Sequence, residues 1–179
     1  MTVVALAELT AAQLDRLTAL TFEAGAEHSP GWLPTPERAR ETIDEARDKL
    51  ARVVLDEHEQ PVAWIAAAHA WGRLWEIHPM IVARAHQRRG FGRLLVREIE
   101  AAAAADGALT LTLSTSDMTG ATSLSSVDLF DAPARRLVEL AVVKPHPVSF
   151  WIRLGFVVVG VTPDAEGPGM PSISLAKRL

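Results

Sequence analysis

The chain of 179 residues contains no cysteine and no tyrosine. The lack of cysteine excludes disulfide bonds, thiolate metal ligands and a cysteine nucleophile. The lack of tyrosine means that no phenolic hydroxyl is available as a proton donor at any site. Basic residues are outnumbered, with 18 Lys and Arg against 22 Asp and Glu and a net charge of −4. Since nucleic-acid binding usually requires a basic surface, we expect no nucleic-acid partner.

Long apolar runs are missing as well. The longest run extends from Val62 to Ala68, which is far too short to cross a bilayer. The segment from Met1 to Thr10 has no basic leader, so we expect no signal peptide. These features predict a cytoplasmic protein with no membrane partner. The length and the 49% of apolar residues predict a single domain over residues 1–179.

The order of the predicted elements indicates a mixed α/β fold. Segment 52–83 is predicted to form three antiparallel strands, with turns at 57–60 and at Gly72 and Arg73. Capping patterns predict two earlier helices, one starting at Thr10 with Gln13 and one running from Thr35 to Leu50. The other predictions are a strand at 2–8, a turn-rich loop at 28–36, helices at 89–106, 133–143 and 147–154, and strands at 109–113, 156–161 and 172–176. This order predicts a mixed sheet with helices on both faces.

The three predicted antiparallel strands of segment 52–83 form a meander. An anion-binding turn is predicted between its third strand and the helix that follows. The turn is the run Gln87-Arg88-Arg89-Gly90-Phe91-Gly92-Arg93. Glycine has no Cβ, so its backbone N–H can approach a phosphate closely. The helix N-terminus adds free N–H groups and a positive dipole. The same spacing fits a basic surface turn that caps a helix, and the run is neither a Walker motif nor a dinucleotide fingerprint.

Pro79 interrupts the strand that leads into this turn. Proline cannot donate to a sheet ladder, so it belongs at an edge or in a bulge. A bulge here would splay the strand from its neighbour and leave N–H groups of Met80 to Val82 unpaired. Free N–H groups beside a phosphate-binding turn can hold an extended chain that carries amides.

Four segments resemble the GNAT superfamily of acyl-CoA-dependent N-acyltransferases. Gln87 to Gly92 is similar to its Arg/Gln-x-x-Gly-x-Gly/Ala signature, and Ser149 to Phe156 is similar to its late Phe-Tyr-x-x-Leu-Gly-Phe/Tyr segment. Trp75 to Met80 resembles the Trp-Glu-Leu-His-Pro-Leu segment of one branch, the chromosomal-type aminoglycoside 6′-N-acetyltransferases. The loop from Thr115 to Ser125 resembles the Thr-x-Asp-x-x-x-x-Thr-x-Leu-Ser loop of that branch. The likeness covers roughly residues 74–177.

The resemblance implies an α/β fold with a mixed, mostly antiparallel sheet of about seven strands, helices on both faces and a splayed central pair. It also implies acetyl-CoA as co-substrate, no metal, and a primary amine as acceptor. The residues that it assigns to acetyl-CoA are Met80, Ile81, Val82, Gln87, Arg88, Arg89, Gly90, Phe91, Gly92, Arg93, Phe150, Trp151 and Leu154. Phe150, Trp151 and Leu154 fit equally well as ordinary core residues, and Arg88 and Arg89 either add charge or are simply solvated.

The catalytic assignments rest on the same resemblance. An amine is mostly protonated at neutral pH and must lose a proton before it attacks, so a carboxylate is needed as base. Glu76 stands at the position where similar enzymes carry that base, although alternation along the strand also fits a solvent-facing residue. His78 shares its face and is expected to relay the proton, or to be a structural histidine. The backbone N–H of Met80 is expected to stabilise the thioester oxygen.

The acceptor is expected to be a small polycation such as an aminoglycoside. The resemblance assigns Asp117 and Asp128 to it, together with Glu76, while Ser116 and Thr119 stand where others keep aspartates. Phe22 and Glu23, and beside them Glu27 and Trp32, are expected to complete the cleft, although ordinary packing explains each of them.

Two alternatives to this enzyme stay open. Trp151 replaces the tyrosine that serves many of these enzymes as acid, which favours an acyl-CoA-binding module without transfer. Acetylation of a protein is the other alternative. The apolar segment 156–159 fits a homodimer interface, and burial in the core explains it equally well.

Overall fold

A computed structural model describes residues 1–28 and 32–179, and all side chains of these ranges except those of 26–28. The middle of the predicted loop at 28–36 and the side chain of Glu27 therefore lie outside the described residues. The described residues form two compact units, one of residues 1–109 with 179 and one of residues 110–178. The single domain stays a prediction.

The first unit consists of four antiparallel strands in sequence order and three helices. The strands are β1 (Thr2–Ala5), β2 (Leu50–Leu55), β3 (Pro61–Trp71) and β4 (Leu74–Val82), and each pairs with the next. The helices are α1 (Ala11–His28), α2 (Pro36–Asp44) and α3 (Phe91–Ala105). The predicted meander is confirmed. The first strand is shorter than predicted because residues 6–8 form a 3-10 turn.

The second unit consists of three antiparallel strands and two short helices. The strands β5 (Thr110–Ser116), β6 (Val157–Gly167) and β7 (Met170–Arg178) lie in the order β5-β7-β6, and the helices are α4 (Pro133–Val138) and α5 (Pro147–Arg153). The predicted class, a mixed α/β fold with about seven mostly antiparallel strands, is confirmed.

Two boundaries in this unit differ from the prediction for a physical reason. Helix α4 ends at Val138 instead of 143, because Val142 bridges Thr122 and the N–H of Val143 donates to the carbonyl of Ala121 at 2.8 Å. The last two strands are longer than predicted, because their pairing continues past Thr162 and Ser172 to a tight end at Gly167 and Met170.

Local sequence explains where the helices of the first unit begin. The hydroxyl of Thr10 accepts from the N–H of Gln13 at 3.3 Å, and the amide oxygen of Gln13 accepts from the N–H of Thr10 at 3.0 Å. At the start of α2, the hydroxyl of Thr35 accepts from the N–H of Arg38 at 3.2 Å. Each cap satisfies N–H groups that a helix start otherwise leaves free.

One face of the meander forms the core with α1 and α2. The leucines at positions 14, 17 and 20 of α1 and Ile43 of α2 are buried against Val53, Trp64 and Ala66. Within this core the indole N–H of Trp64 donates to the hydroxyl of Thr21 at 2.9 Å. The opposite face packs under α3, which contacts β2, β3 and β4. Among the described residues, no helix is long and apolar enough to cross a membrane.

Candidate active site

The start of α3 carries backbone N–H groups that have no acceptor in the protein. The first bond of the helix runs from the N–H of Leu94 to the carbonyl of Gly90 at 3.0 Å. In the described part of the chain, no carbonyl or side chain accepts from the N–H groups of Phe91 to Arg93. Such groups bind anions well, because they point outward at the positive end of the helix dipole.

Gly90 gives this turn its shape. Its φ is +91°, a left-handed conformation that glycine adopts at little cost, and no heavy atom lies within 4 Å of the place where a Cβ would stand. The space beside the N–H groups is therefore open. The side chains of Arg88, Arg89 and Arg93 around it are exposed. This geometry suits an anion, and the binding of a diphosphate here stays a prediction.

Strand β4 carries the bulge predicted at Pro79. Met80 pairs with Ile65 and Ile77 pairs with Ala67, so β4 uses one residue more than β3 over this stretch. The bond between His78 and Pro79 is cis. The side-chain amide of Gln87 donates to the carbonyl of Val82 at 3.3 Å and so ties the turn to the end of the strand.

A cleft of about 360 Å³ opens on the α1 and α2 face of the meander, beyond the point where the core ends. Its lining residues come from β3, β4 and the approach to β2, and they are Lys49, Ala68, His69, Ala70, Glu76 and His78. The core side chains are at Trp64 and Ala66, and Ala68 continues the same face of β3. The small side chains of Ala68 and Ala70 thus leave room, whereas Trp64 fills the space further along the same face of the strand.

Glu76 and His78 both face this cleft, as predicted from their spacing. The ring of His78 meets the ring of Trp32 edge-on, with centroids 5.1 Å apart and planes at 60°. Although part of the imidazole reaches solvent, desolvation in the cleft is the main cause that lowers the pKa of His78. The positive charge of Lys49 lowers this pKa further, whereas the negative charge of Glu76 raises it. His78 is therefore neutral at pH 7.

Sequence reasoning missed two residues of the cleft, Lys49 and His69. The ring Nε2 of His69 lies 2.7 Å from the carbonyl of Gly72, so this nitrogen carries a proton. Lys49 directly precedes β2, and Leu50 pairs with Ala67. No motif marks Lys49, and only the strand register would have found it.

The comparisons with known proteins agree with this geometry. The sequence pattern described as "Acetyltransferase (GNAT) family" matches residues 13–124, more than half of the chain. The chain belongs to the GNAT acetyltransferase family. A comparison with curated proteins gives no significant match.

Solved structures similar to this acetyltransferase include three aminoglycoside acetyltransferases. One 6′-N-acetyltransferase, complexed with coenzyme A, has 26% identity and a TM-score of 0.90, with 99% of this chain and 97% of that chain covered. The 6′-N-acetyltransferase from Enterococcus faecium has 28% identity and a TM-score of 0.85, with 99% of this chain and 97% of that chain covered. The aminoglycoside 6′-acetyltransferase type Ii has 24% identity and a TM-score of 0.73, with 99% of this chain and 97% of that chain covered. At this identity the likeness shows the fold alone. The predicted family and the predicted enzyme class, an acetyltransferase, are confirmed.

Asp117 of this acetyltransferase was predicted to bind the acceptor, and its geometry gives it another task. The side chain is fully buried. Its two oxygens accept from the N–H groups of Ala121 and Thr122 at 2.8 and 2.7 Å, and from the hydroxyls of Thr122 and Ser125 at 2.7 and 2.6 Å. A carboxylate so enclosed holds its own loop together and exposes no oxygen to an acceptor.

Hydrogen bonds dominate the titration of Asp117. Burial by itself raises the pKa of this carboxyl, but the bonds from Ala121, Ser125 and Thr122 outweigh it and lower the pKa to about 2. Asp117 is therefore ionised throughout the physiological range. The resemblance pointed to an acidic residue in this loop, but it could not distinguish a ligand from a loop anchor.

The other predicted acceptor residues are exposed or half-buried. Asp128 is exposed, and one of its oxygens accepts from the N–H of Phe130 at 2.9 Å. Glu23 is exposed and Phe22 is half-buried on α1, next to the buried Thr21. None of the three is among the residues that line the cleft. Their binding role stays a prediction.

Helix α5 and Leu154, the residue that follows it, carry the acetyl-CoA residues predicted in the second unit. Trp151 is buried and packs edge-on against Phe150 and Phe156, with centroids 5.0 and 5.1 Å away. Leu154 is half-buried, and its carbonyl accepts from Lys177 at 2.7 Å. These contacts are those of a small aromatic core, and the role in cofactor binding stays a prediction.

The segment 156–159 fits neither a dimer interface nor burial in the core along its whole length. Phe156 is buried, whereas Val157 and Val159 are 61% and 57% exposed. Burial in the core therefore accounts for the first residue of the segment and not for the two valines. Among the described residues, no group of three or more metal-ligating side chains is present.

Proposed function

We propose that this chain transfers an acetyl group from acetyl-CoA to the primary amine of a small acceptor, with Glu76 as the base. The observation that carries the proposal is the cleft of the first unit, where Glu76 and His78 face one open space on the strand that leads into the anion-binding turn. Membership of the acetyltransferase family supports the reaction class.

Acetyl-CoA supplies an activated thioester, whose acetyl group passes to the amine as the carbon–sulfur bond breaks. The open N–H groups of Phe91, Gly92 and Arg93 are suited to the diphosphate of this co-substrate, and the arginines of the turn add positive charge. Support comes from a similar structure that is a complex with coenzyme A. The N–H of Met80, next to the bulge, is the proposed donor to the thioester oxygen.

Glu76 takes the proton that makes the acceptor nucleophilic. The ammonium of the acceptor loses one proton to this carboxylate, directly or through water, and the neutral amine attacks. His78 is neutral at pH 7 and orients the acceptor or passes the proton outward. The nitrogen loses its second proton as the carbon–sulfur bond breaks, and the leaving thiolate gains a proton through water, because the chain has no tyrosine to supply one. The products are an amide, CoA thiol and one released proton.

An aminoglycoside is the first acceptor to test. The 6′-N-acetyltransferases of the comparison share 26% and 28% identity with this chain over nearly its whole length. A cytoplasmic location, a homodimer and a contribution to antibiotic resistance are parts of the same proposal. Each has its own measurement: fractionation of cells, light scattering of the purified protein, and the inhibitory concentration of the drug.

The deciding experiment measures CoA release with a thiol reagent across a panel of amines, with the product identified by mass spectrometry. We expect Glu76→Gln to lower kcat/KM by roughly 100- to 10,000-fold at neutral pH. Glu98→Gln is the matched control, since Glu98 is exposed on α3 and does not line the cleft. If the two variants behave alike, the base is wrong.

The alternatives are outcomes of the same assay. Tight binding of acetyl-CoA in calorimetry, without turnover of any amine, would favour a binding module. Turnover of peptides and not of small amines would favour a protein acetyltransferase.

A further inference from the structure

The cleft contains one fixed charge of each sign. Glu76 lies on β4, and Lys49 lies across β3 at the approach to β2. Ala68 pairs with Glu76 and follows Ala67, the partner of Leu50, so Ala68 separates the two charged residues. Two strand spacings therefore lie between their backbones, roughly 10 Å. An acceptor whose amine reaches Glu76 must place its neighbouring groups near Lys49.

Lys49 is not neutralised by a neighbouring acid. Within the described residues, no carboxylate lies within 4.0 Å of its ammonium. Glu45, which also acts on His78, has its own partner, because Arg38 donates to it at 2.9 Å. The charge of Lys49 nevertheless reaches the middle of the cleft, since it lowers the pKa of His78.

We propose that Lys49 is a specificity-determining residue that selects acceptors by the charge next to the reactive amine. It disfavours a second ammonium there and accepts a hydroxyl or an anionic group. This inference rests on the proposed function and refines it. It divides amine acceptors into two classes, those with an uncharged or anionic neighbour and those with a cationic one, and makes the former the better substrates.

The size of the effect follows from electrostatics. Two ammonium groups about 6 Å apart in a water-filled cleft repel each other enough to change a rate constant by roughly 3- to 10-fold. The repulsion is screened by salt, since the Debye length falls from about 10 Å at 0.1 M to about 3 Å at 1 M. Removal of a packing contact would show no such dependence on salt.

The test compares two acceptors that differ only next to the amine. Kanamycin A carries a hydroxyl and kanamycin B an ammonium at the 2′ position, on the ring that bears the 6′-amine. We expect the wild-type chain to have the higher kcat/KM for the hydroxyl form. We expect Lys49→Met to reduce that preference by roughly 3- to 10-fold, and 1 M salt to reduce it in the wild type alone. Lys49→Arg keeps the charge and should keep the preference.

Arg16→Met is the matched control, because Arg16 is an exposed cation of the same unit on α1 and does not line the cleft. It should leave the preference unchanged. An equal preference in Lys49→Met and the wild type would overturn the proposal.

If no amine is turned over, the proposed function fails first. The charge selection is then measured as affinity for the two kanamycins with CoA present, by calorimetry. Equal affinities in both proteins, or no binding at all, would overturn it too.

Discussion

The ring of Trp32 meets the imidazole of His78 edge-on at 5.1 Å, and the contact covers one side of the histidine that shares a cleft with Glu76. An edge-to-face contact of this kind is worth about 1 kcal/mol beyond the area that it buries. It joins the chain that leads into α2 to the bulged part of β4. Trp32 therefore restricts the orientation of the His78 ring within the cleft.

Replacing Trp32 by leucine is expected to weaken acceptor binding more than chemistry. The leucine leaves the imidazole free to rotate, so the KM for the amine should rise by roughly 3- to 10-fold while kcat changes little, because about 1 kcal/mol of orientation is lost. Trp32→Phe retains a ring against His78 and should stay close to the wild type. Steady-state kinetics with both variants checks this. A fall in kcat with an unchanged KM would mean that Trp32 acts in the chemical step.

The titration of His78 should respond to both of its charged neighbours in opposite directions. Since the ammonium of Lys49 lowers the pKa of His78, Lys49→Met should raise it. Since the carboxylate of Glu76 raises that pKa, Glu76→Gln should lower it. NMR of the imidazole ring against pH measures both changes. Shifts of the same sign in the two variants would contradict this arrangement of charges.

The lowered pKa of His78 also predicts how stability depends on pH. The unfolded chain binds a proton at this residue below about pH 6.5, whereas the folded chain binds it only at lower pH. His78 therefore contributes a loss of stability that begins as the pH falls through 6.5 and is complete below the folded pKa. His78→Gln should flatten the stability curve in this window, as measured by denaturant unfolding. An unchanged slope would contradict it.

The sequence predicts those features of the site that depend on residues close together along the chain. The turn at Gly90 follows from glycine spacing, and the bulge follows from the missing N–H of Pro79. The shared face of Glu76 and His78 follows from strand periodicity. Each of these features is decided within a few residues, so one sequence is enough to predict it.

The features that sequence reasoning missed depend on contacts between distant segments. Lys49 enters the cleft only because Leu50 pairs with Ala67 and Ala68 pairs with Glu76. The length of β6 and β7 is likewise decided by pairing across their hairpin, against the local preference of residues 163 and 167 for turns. No local pattern contains this information.

A methyl group at position 90 should weaken CoA binding. Alanine in the left-handed conformation at φ +91° costs about 1–2 kcal/mol, and relief of that strain would rotate the N–H groups of Phe91 to Arg93. We expect Gly90→Ala to raise the Kd for CoA by roughly 10-fold or more, since about 1.4 kcal/mol corresponds to a factor of ten. Isothermal calorimetry with CoA measures the change.

Gly120→Ala is the control for backbone strain, because Gly120 also has a positive φ, +64°, and no heavy atom within 4 Å of a Cβ. It belongs to a loop of the second unit, outside the anion-binding turn. It should lower stability to a similar extent and leave the Kd unchanged. Equal losses of CoA affinity in both variants would mean that the turn at Gly90 does not bind the diphosphate.

Asp117→Asn should destabilise the chain at neutral pH and lose this effect in acid. The folded pKa of about 2 lies below the unfolded value of 3.8, so the carboxylate contributes about 2 kcal/mol above pH 4. That contribution is lost as the pH falls from 4 to 2. The NH₂ group of the asparagine would also face an N–H group of Ala121 or Thr122, and two donors cannot bond to each other. Denaturant unfolding should show a deficit of about 2–3 kcal/mol at pH 7 that shrinks steadily below pH 4.

The control for the anchor at Asp117 is Asp128→Asn, since Asp128 is exposed and accepts one hydrogen bond from the N–H of Phe130. Its replacement should change the free energy of unfolding by no more than about 0.5 kcal/mol. A deficit in Asp117→Asn that stays constant from pH 7 to pH 3 would show that shape, and not the charge of the buried carboxylate, holds the loop. Because Asp117 does not line the cleft that contains Glu76, the proposed base, Asp117→Asn should also leave the pH profile of kcat unchanged while the chain is folded.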